Sequence, residues 1–104
     1  TGGSAIGIPL GESLPLRKVL VLLFMYFTYI LKSLKDGSFY YGSTSNLDNR
    51  IAQHNKGKSK YTKAKRPWSL IYFEQFSSRS EAFKRELFFK SLDGYKWLKS
   101  NSII

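Results

Sequence analysis

Tyr26-Phe27-Thr28-Tyr29-Ile30-Leu31-Lys32 is followed, after Ser33 and Leu34, by Lys35-Asp36-Gly37-Ser38 and then at once by Phe39-Tyr40-Tyr41. The outer groups are aromatic and β-branched, residue types that suit a pleated, half-buried surface. The middle group carries the Asp-Gly chemistry of a tight turn. The three together read as a β-hairpin.

Downstream, Asn46 or Ser45 can cap a helix in which Leu47, Arg50, Ile51 and His54 recur at spacings of three and four, until Asn55 and Gly57 stop it. Arg50 and His54 therefore share one helical face. Next comes the basic run Lys56-Gly57-Lys58-Ser59-Lys60-Tyr61-Thr62-Lys63-Ala64-Lys65-Arg66, ended by Pro67 and expected to be an exposed loop. Trp68 to Phe76 returns to strand composition. Ser77 or Ser78 then opens a helix carrying Ala82, Phe83, Glu86, Leu87 and Lys90, with Ser78 and Glu81 in capping-box spacing. Gly94 is expected to break the chain before a short helical piece, Tyr95 to Ser100, that docks Trp97 and Leu98 on the core. Trp68, Phe73, Phe83, Phe88 and Trp97 are assigned to the core. Strand, strand, helix, loop, strand, helix, short helix predicts an α+β domain: a small three-stranded, mainly antiparallel sheet flanked by helices.

With 104 residues and 42% apolar composition, the chain can build one hydrophobic core and has no room for two. It contains no cysteine, which excludes disulfides and thiolate metal sites. Lys and Arg outnumber Asp and Glu by 17 to 7, and the net charge of +10 attracts polyanions, nucleic acid first and an anionic membrane surface second. The longest apolar run, Val19 to Leu31 after Arg17 and Lys18, is shorter than the ~20 residues that span a bilayer. Its end at Tyr26-Phe27-Thr28-Tyr29 is too bulky for a signal cleavage site. Thr1 to Leu16 mixes Gly2, Gly3, Gly7, Gly11, Pro9 and Pro15 without periodicity, and Met25 stands where a compact domain can begin. Residues 1–24 are thus expected to be a flexible leader or upstream extension, residues 25–104 the domain, and the protein cytoplasmic.

Phe27-Thr28-Tyr29-Ile30-Leu31 followed by Phe39-Tyr40-Tyr41-Gly42-Ser43-Thr44 resembles the paired signature of the GIY-YIG nucleases in their short, single-domain bacterial form. It is similar too to the N-terminal nuclease domain of the excision-repair incision subunit. Asn46-Leu47-Asp48-Asn49-Arg50-Ile51-Ala52-Gln53-His54-Asn55 is similar to the family's first helix, and Ser80-Glu81-Ala82-Phe83-Lys84-Arg85-Glu86 to its metal-binding helix. The opening Gly-Ile is replaced by Phe27-Thr28 and the middle Ile by Tyr41, but the matched Tyr, Tyr, Arg, His and Glu positions are all filled.

The resemblance implies metal-dependent hydrolysis of phosphodiester bonds in DNA, on single-stranded, branched or damaged substrates. Repair is one suitable setting, and RNA stays open as a substrate. The residue types fit that chemistry: Glu86 as ligand to one Mg²⁺ or Mn²⁺, Arg50 as a forked donor to the scissile phosphate, and Tyr29 nearest the attacking water as base or as relay. Tyr40 would orient phosphate or water. His54 is the other candidate base, since its intrinsic pKa is near neutrality. Lys58, Lys60, Tyr61, Lys63, Lys65 and Arg66 would bind the nucleic acid through phosphates and base stacking.

Each residue also has an ordinary use. Tyr29 and Tyr40 suit a strand core, Arg50 and His54 a solvated helix face, and Glu86 an i,i+4 pair with Lys90. The basic run suits a soluble linker. On that footing the chain is a non-catalytic nucleic-acid binding module, or a membrane-surface protein anchored through Val19 to Phe24. No stable membrane association is expected.

Overall fold

The computed structural model describes residues 24–104, together with 15–17 and 19. Most of the leader, including most of the segment from Val19 to Phe24, lies outside the described residues. The fold consists of β1 (Tyr26–Ser33), β2 (Phe39–Thr44), α1 (Leu47–Asn55), a 3₁₀ turn (Lys63–Lys65), β3 (Trp68–Phe76), α2 (Arg79–Phe89) and α3 (Leu92–Ser100). Its three-stranded sheet has the order β2-β1-β3, antiparallel throughout, so the α+β expectation holds.

The central strand organises the layers. Thr28, Tyr29, Ile30 and Leu31 are all fully buried because β1 is covered on both faces. Side chains alternate along a strand. Tyr29 and Leu31 accordingly join Leu47, Trp68 and Phe73 in one core cluster, while Ile30 joins Phe89 and Leu98 in another. Burying an aliphatic side chain of this kind is worth about 2 kcal/mol, so strand register is strongly fixed on both faces. Among the described residues, no buried side-chain nitrogen or oxygen lacks a hydrogen-bond partner.

Helix starts follow the sequence signals. Asn46 caps α1 by accepting from the Asn49 amide. Ser78 caps α2 by accepting from the Glu81 amide, and its hydroxyl also bonds the Glu81 carboxylate. Two expectations are corrected. Phe83 is 49% exposed rather than in the core, because Ala82 and Phe89 supply the buried stripe of α2. Gly94 does not break the chain: α3 begins at Leu92 and runs through it.

The reason for a glycine at position 94 is proximity. A Cβ there would collide with the backbone carbonyl of Phe88, and the Gly94 amide donates to the capping Ser91 hydroxyl. The absence of a side chain lets α3 turn back against α2 immediately. Gly94→Ala is therefore expected to lower unfolding free energy by about 3 kcal/mol or more, measured by urea denaturation. An alanine variant as stable as the parent would show that the α2–α3 junction yields without cost.

Candidate active site

Tyr29 lies opposite Gly42 in the β1–β2 ladder. A Cβ at position 42 would fall on the Tyr29 hydroxyl and ring, so the glycine is what allows the ring to lie across the neighbouring strand. That crossing aims the phenol at α1. There its oxygen meets His54 Nε2 at 3.0 Å, and His54 Nδ1 meets the Thr62 hydroxyl at 2.8 Å. Tyr29, His54 and Thr62 are at most 1% exposed. Thr62 Oγ1 is also 3.5 Å from the Ser59 carbonyl, and the Thr62 carbonyl accepts from the Trp68 indole N–H at 3.0 Å.

These contacts fix the direction of the chain of bonds. The Ser59 carbonyl can only accept, so the Thr62 hydroxyl donates to it, Nδ1–H donates to Thr62, and Nε2 accepts from the Tyr29 phenol. The charges agree. Burial, reinforced by Tyr40 and Glu86, pushes the Tyr29 phenol far above its ordinary pKa, with the Arg50 guanidinium pulling the other way. Burial first and Arg50 second hold His54 below 6.5. At neutral pH the pair is thus phenol and neutral imidazole.

Tyr40 packs against this pair, its ring centroid 4.8 Å from His54 and 6.3 Å from Tyr29. Tyr61, 83% exposed, extends the aromatic row outward at 6.0 Å from Tyr40. Arg50 and His54 share a face as expected, but they divide it. His54 is buried, whereas Arg50 is exposed and close enough to act on both Tyr29 and His54.

Glu86 approaches from α2. Ser43, the residue after Gly42 on β2, donates its hydroxyl to Glu86 Oε1 at 2.8 Å, and Lys90 Nζ donates to Oε2 at 2.7 Å. The i,i+4 pair is therefore real, and Glu86 is also close enough to Tyr29 for its charge to raise the phenol. Among the described residues no group of three or more His, Cys, Asp or Glu could cage a metal. A single carboxylate fits Mg²⁺ or Mn²⁺, which keep most of their waters.

The basic run is held from within, at Thr62. It contains the 3₁₀ turn Lys63–Lys65 and the buried Thr62, so it is not exposed throughout. Lys60, Lys63 and Arg66 line an open cleft of about 640 Å³ with Lys35 and Asn55. Lys65 instead faces Asp36 at 3.7 Å. Lys58 is exposed outside the cleft lining. Ser43, Thr62 and Lys35 are not among the residues that the sequence singles out. Ser43 stands inside the hairpin signature, but nothing in the order of residues announces a bond spanning 43 positions.

Comparison with known proteins gives the same region. The GIY-YIG catalytic domain matches residues 25–97. UPF0213 protein SH2523 of Staphylococcus haemolyticus is 49% identical over 75 residues, which cover 71% of this chain and 90% of that protein. UPF0213 protein YazA of Bacillus subtilis is 47% identical over 68 residues, covering 64% and 68% respectively. The solution NMR structure of UPF0213 protein BH0048 from Bacillus halodurans is 38% identical, covers 73% of this chain and 83% of its own, and has a TM-score of 0.44. Among the described residues no helix is long and apolar enough to cross a membrane.

The imidazole of His54 is expected to titrate below 6.5, and Arg50→Ala to move that titration upward by removing a repelling charge. NMR of the single histidine reads both directly. A midpoint at or above 6.5 in the parent would contradict the buried, neutral imidazole.

Proposed function

Because the chain belongs to the GIY-YIG family, we propose that it is a divalent-metal-dependent endonuclease hydrolysing phosphodiester bonds in DNA. Single-stranded, branched or damaged DNA is the substrate class, since so small a domain has little surface to read a long duplex. The observation that carries the reading is the buried Tyr29–His54–Thr62 chain, with the charges of Arg50 and Glu86 both acting on its phenol.

Hydrolysis requires a new bond from water oxygen to phosphorus, rupture of one P–O ester bond, and a destination for the water proton. Tyr29 stands as the relay: it takes the water proton as its own passes to His54 Nε2, 3.0 Å away. Thr62 holds the imidazole by Nδ1 and fixes the tautomer that leaves Nε2 free to accept. Proton acceptance thus belongs to His54, and Tyr29 carries it there.

Arg50, exposed next to this pair, supplies forked donors to the scissile phosphate. Tyr40, packed on both Tyr29 and His54, orients phosphate or water. Glu86, with Ser43 steadying one oxygen, would hold the metal ion. When bound, Mg²⁺ or Mn²⁺ supplies positive charge for the crowded phosphate and the departing oxygen. Tyr61, at the outer end of the aromatic row, offers a face for base stacking, and Lys60, Lys63 and Arg66 offer cations for flanking phosphates. Lys58 and Lys65 belong to the same basic surface, Lys65 once released from Asp36.

A labelled panel of single-stranded, duplex and branched DNA, incubated with Mg²⁺ or Mn²⁺ against EDTA, tests the reading. Glu86→Ala, Arg50→Ala and His54→Ala are each expected to reduce cleavage by about 10²-fold or more while DNA binding persists. Neutral His54 is the accepting form, so the rate falls as pH drops through a midpoint below 6.5. Tight binding without cleavage in any metal would make the protein a non-catalytic binding module instead.

Replacing Lys58, Lys60, Lys63 and Lys65 with Gln is expected to weaken binding and flatten its salt dependence, by a log–log slope of about 0.7 to 0.9 for each phosphate no longer neutralised. A slope unchanged from the parent's would return the segment to a plain connecting loop.

A further inference from the structure

Both oxygens of the Glu86 carboxylate are occupied, by partners of different kinds. The Ser43 hydroxyl reaches Oε1 from a strand, where its position is set by the β1–β2 ladder. The Lys90 ammonium reaches Oε2 from the next turn of α2, on a flexible four-carbon stem. The Glu86 side chain is only 12% exposed, and that of Lys90 is 48% exposed. One partner belongs to the scaffold, while the other can swing into water without disturbing it.

A carboxylate so placed needs a positive neighbour, since desolvated charge without a partner is costly. Lys90 fills that need at 2.7 Å. A divalent cation ligated by the same oxygen would meet the ammonium at short range, where like charges repel strongly. The two therefore compete for Oε2.

We propose that Lys90 is a stand-in cation: it holds Glu86 in its ligating posture when no divalent ion is bound and is displaced when one arrives. The inference rests on the reading of Glu86 as metal ligand. Metal uptake is then an exchange, with the apparent affinity lowered by the ammonium that must leave. Ser43 keeps the carboxylate aimed during the exchange, so the fold need not move. Lys90 is a positioning residue here and takes no part in bond breaking.

The test is Mn²⁺ binding to the full chain in the absence of DNA, by isothermal titration calorimetry and by the electron paramagnetic resonance signal of free Mn²⁺. Lys90→Gln should tighten binding about three- to tenfold at low salt, with the gap narrowing as ionic strength rises. Lys90→Arg, which restores the charge, should return affinity toward the parent's. Glu86→Gln should abolish the site in either background. Equal or weaker binding by Lys90→Gln overturns the exchange and leaves the nuclease reading standing. Parent protein without Glu86-dependent Mn²⁺ binding would overturn the metal assignment itself, and the exchange with it.

Discussion

The Tyr29 ring lies across Gly42, and the arrangement of the site depends on that one packing interaction. Because β2 offers no Cβ at this position, a fully buried aromatic on the central strand can point its hydroxyl out of the sheet toward α1. The helix is placed to receive it by Leu47, buried in the Tyr29 cluster, and Ile51, packed against it. One turn beyond Ile51, His54 has nowhere to go but the phenol, and its second nitrogen requires a partner of its own. Thr62 provides it, held by the Trp68 indole at the start of β3. A single missing methyl group thus orders four separate pieces of chain.

The other face of the sheet performs a different task. Phe89, Leu98 and Ile30 form its buried core, with Tyr41, Tyr72 and Trp97 around them. Arg85 lies over the rings of Phe88, Phe89 and Trp97 at 4.5 to 4.9 Å while binding Glu74 through two N–H groups. Tyr72 completes the group by donating to the same carboxylate, and burial with that bond pushes its phenol up to about 12. This half-buried network ties α2 and α3 to the sheet. Glu86 is the point where the two faces meet: it sits on the structural helix, yet Ser43 draws it to the edge strand beside the Tyr29 crossing.

How much of this is legible in the sequence follows from the range of each interaction. The hairpin turn, the Asn46 and Ser78 caps, and the helical spacing of Arg50 and His54 are local, and the order of residues displays them directly. Phe83 reads as core because helical periodicity does not distinguish a buried stripe from an apolar residue beside it. Gly94 reads as a breaker because its true role, close approach to the Phe88 carbonyl, exists only once two helices are folded together. Thr62 is hidden for a related reason. In a run of lysines it looks like solvent-facing filler, and only the tertiary demand of His54 Nδ1 gives it a purpose.

Tyr29 and His54, the two members of the proposed relay, have pKa values driven apart by the same burial, Tyr29 upward and His54 downward. Full transfer of the phenol proton to the imidazole is therefore uphill in the resting site, and a standing phenolate would be a poor design. The geometry suits a concerted transfer, in which a proton reaches Tyr29 as the other leaves and no full charge accumulates on oxygen. Arg50 lowers both groups, which eases loss of the Tyr29 proton while weakening His54 as acceptor, so in the proposed reaction its benefit lies in the charge it offers the phosphate. Glu86 acts on Tyr29 in the opposite sense, raising it. The Lys90 ammonium paired with Glu86 does not abolish that effect, whereas a divalent ion in the proposed metal site would oppose it with twice the charge.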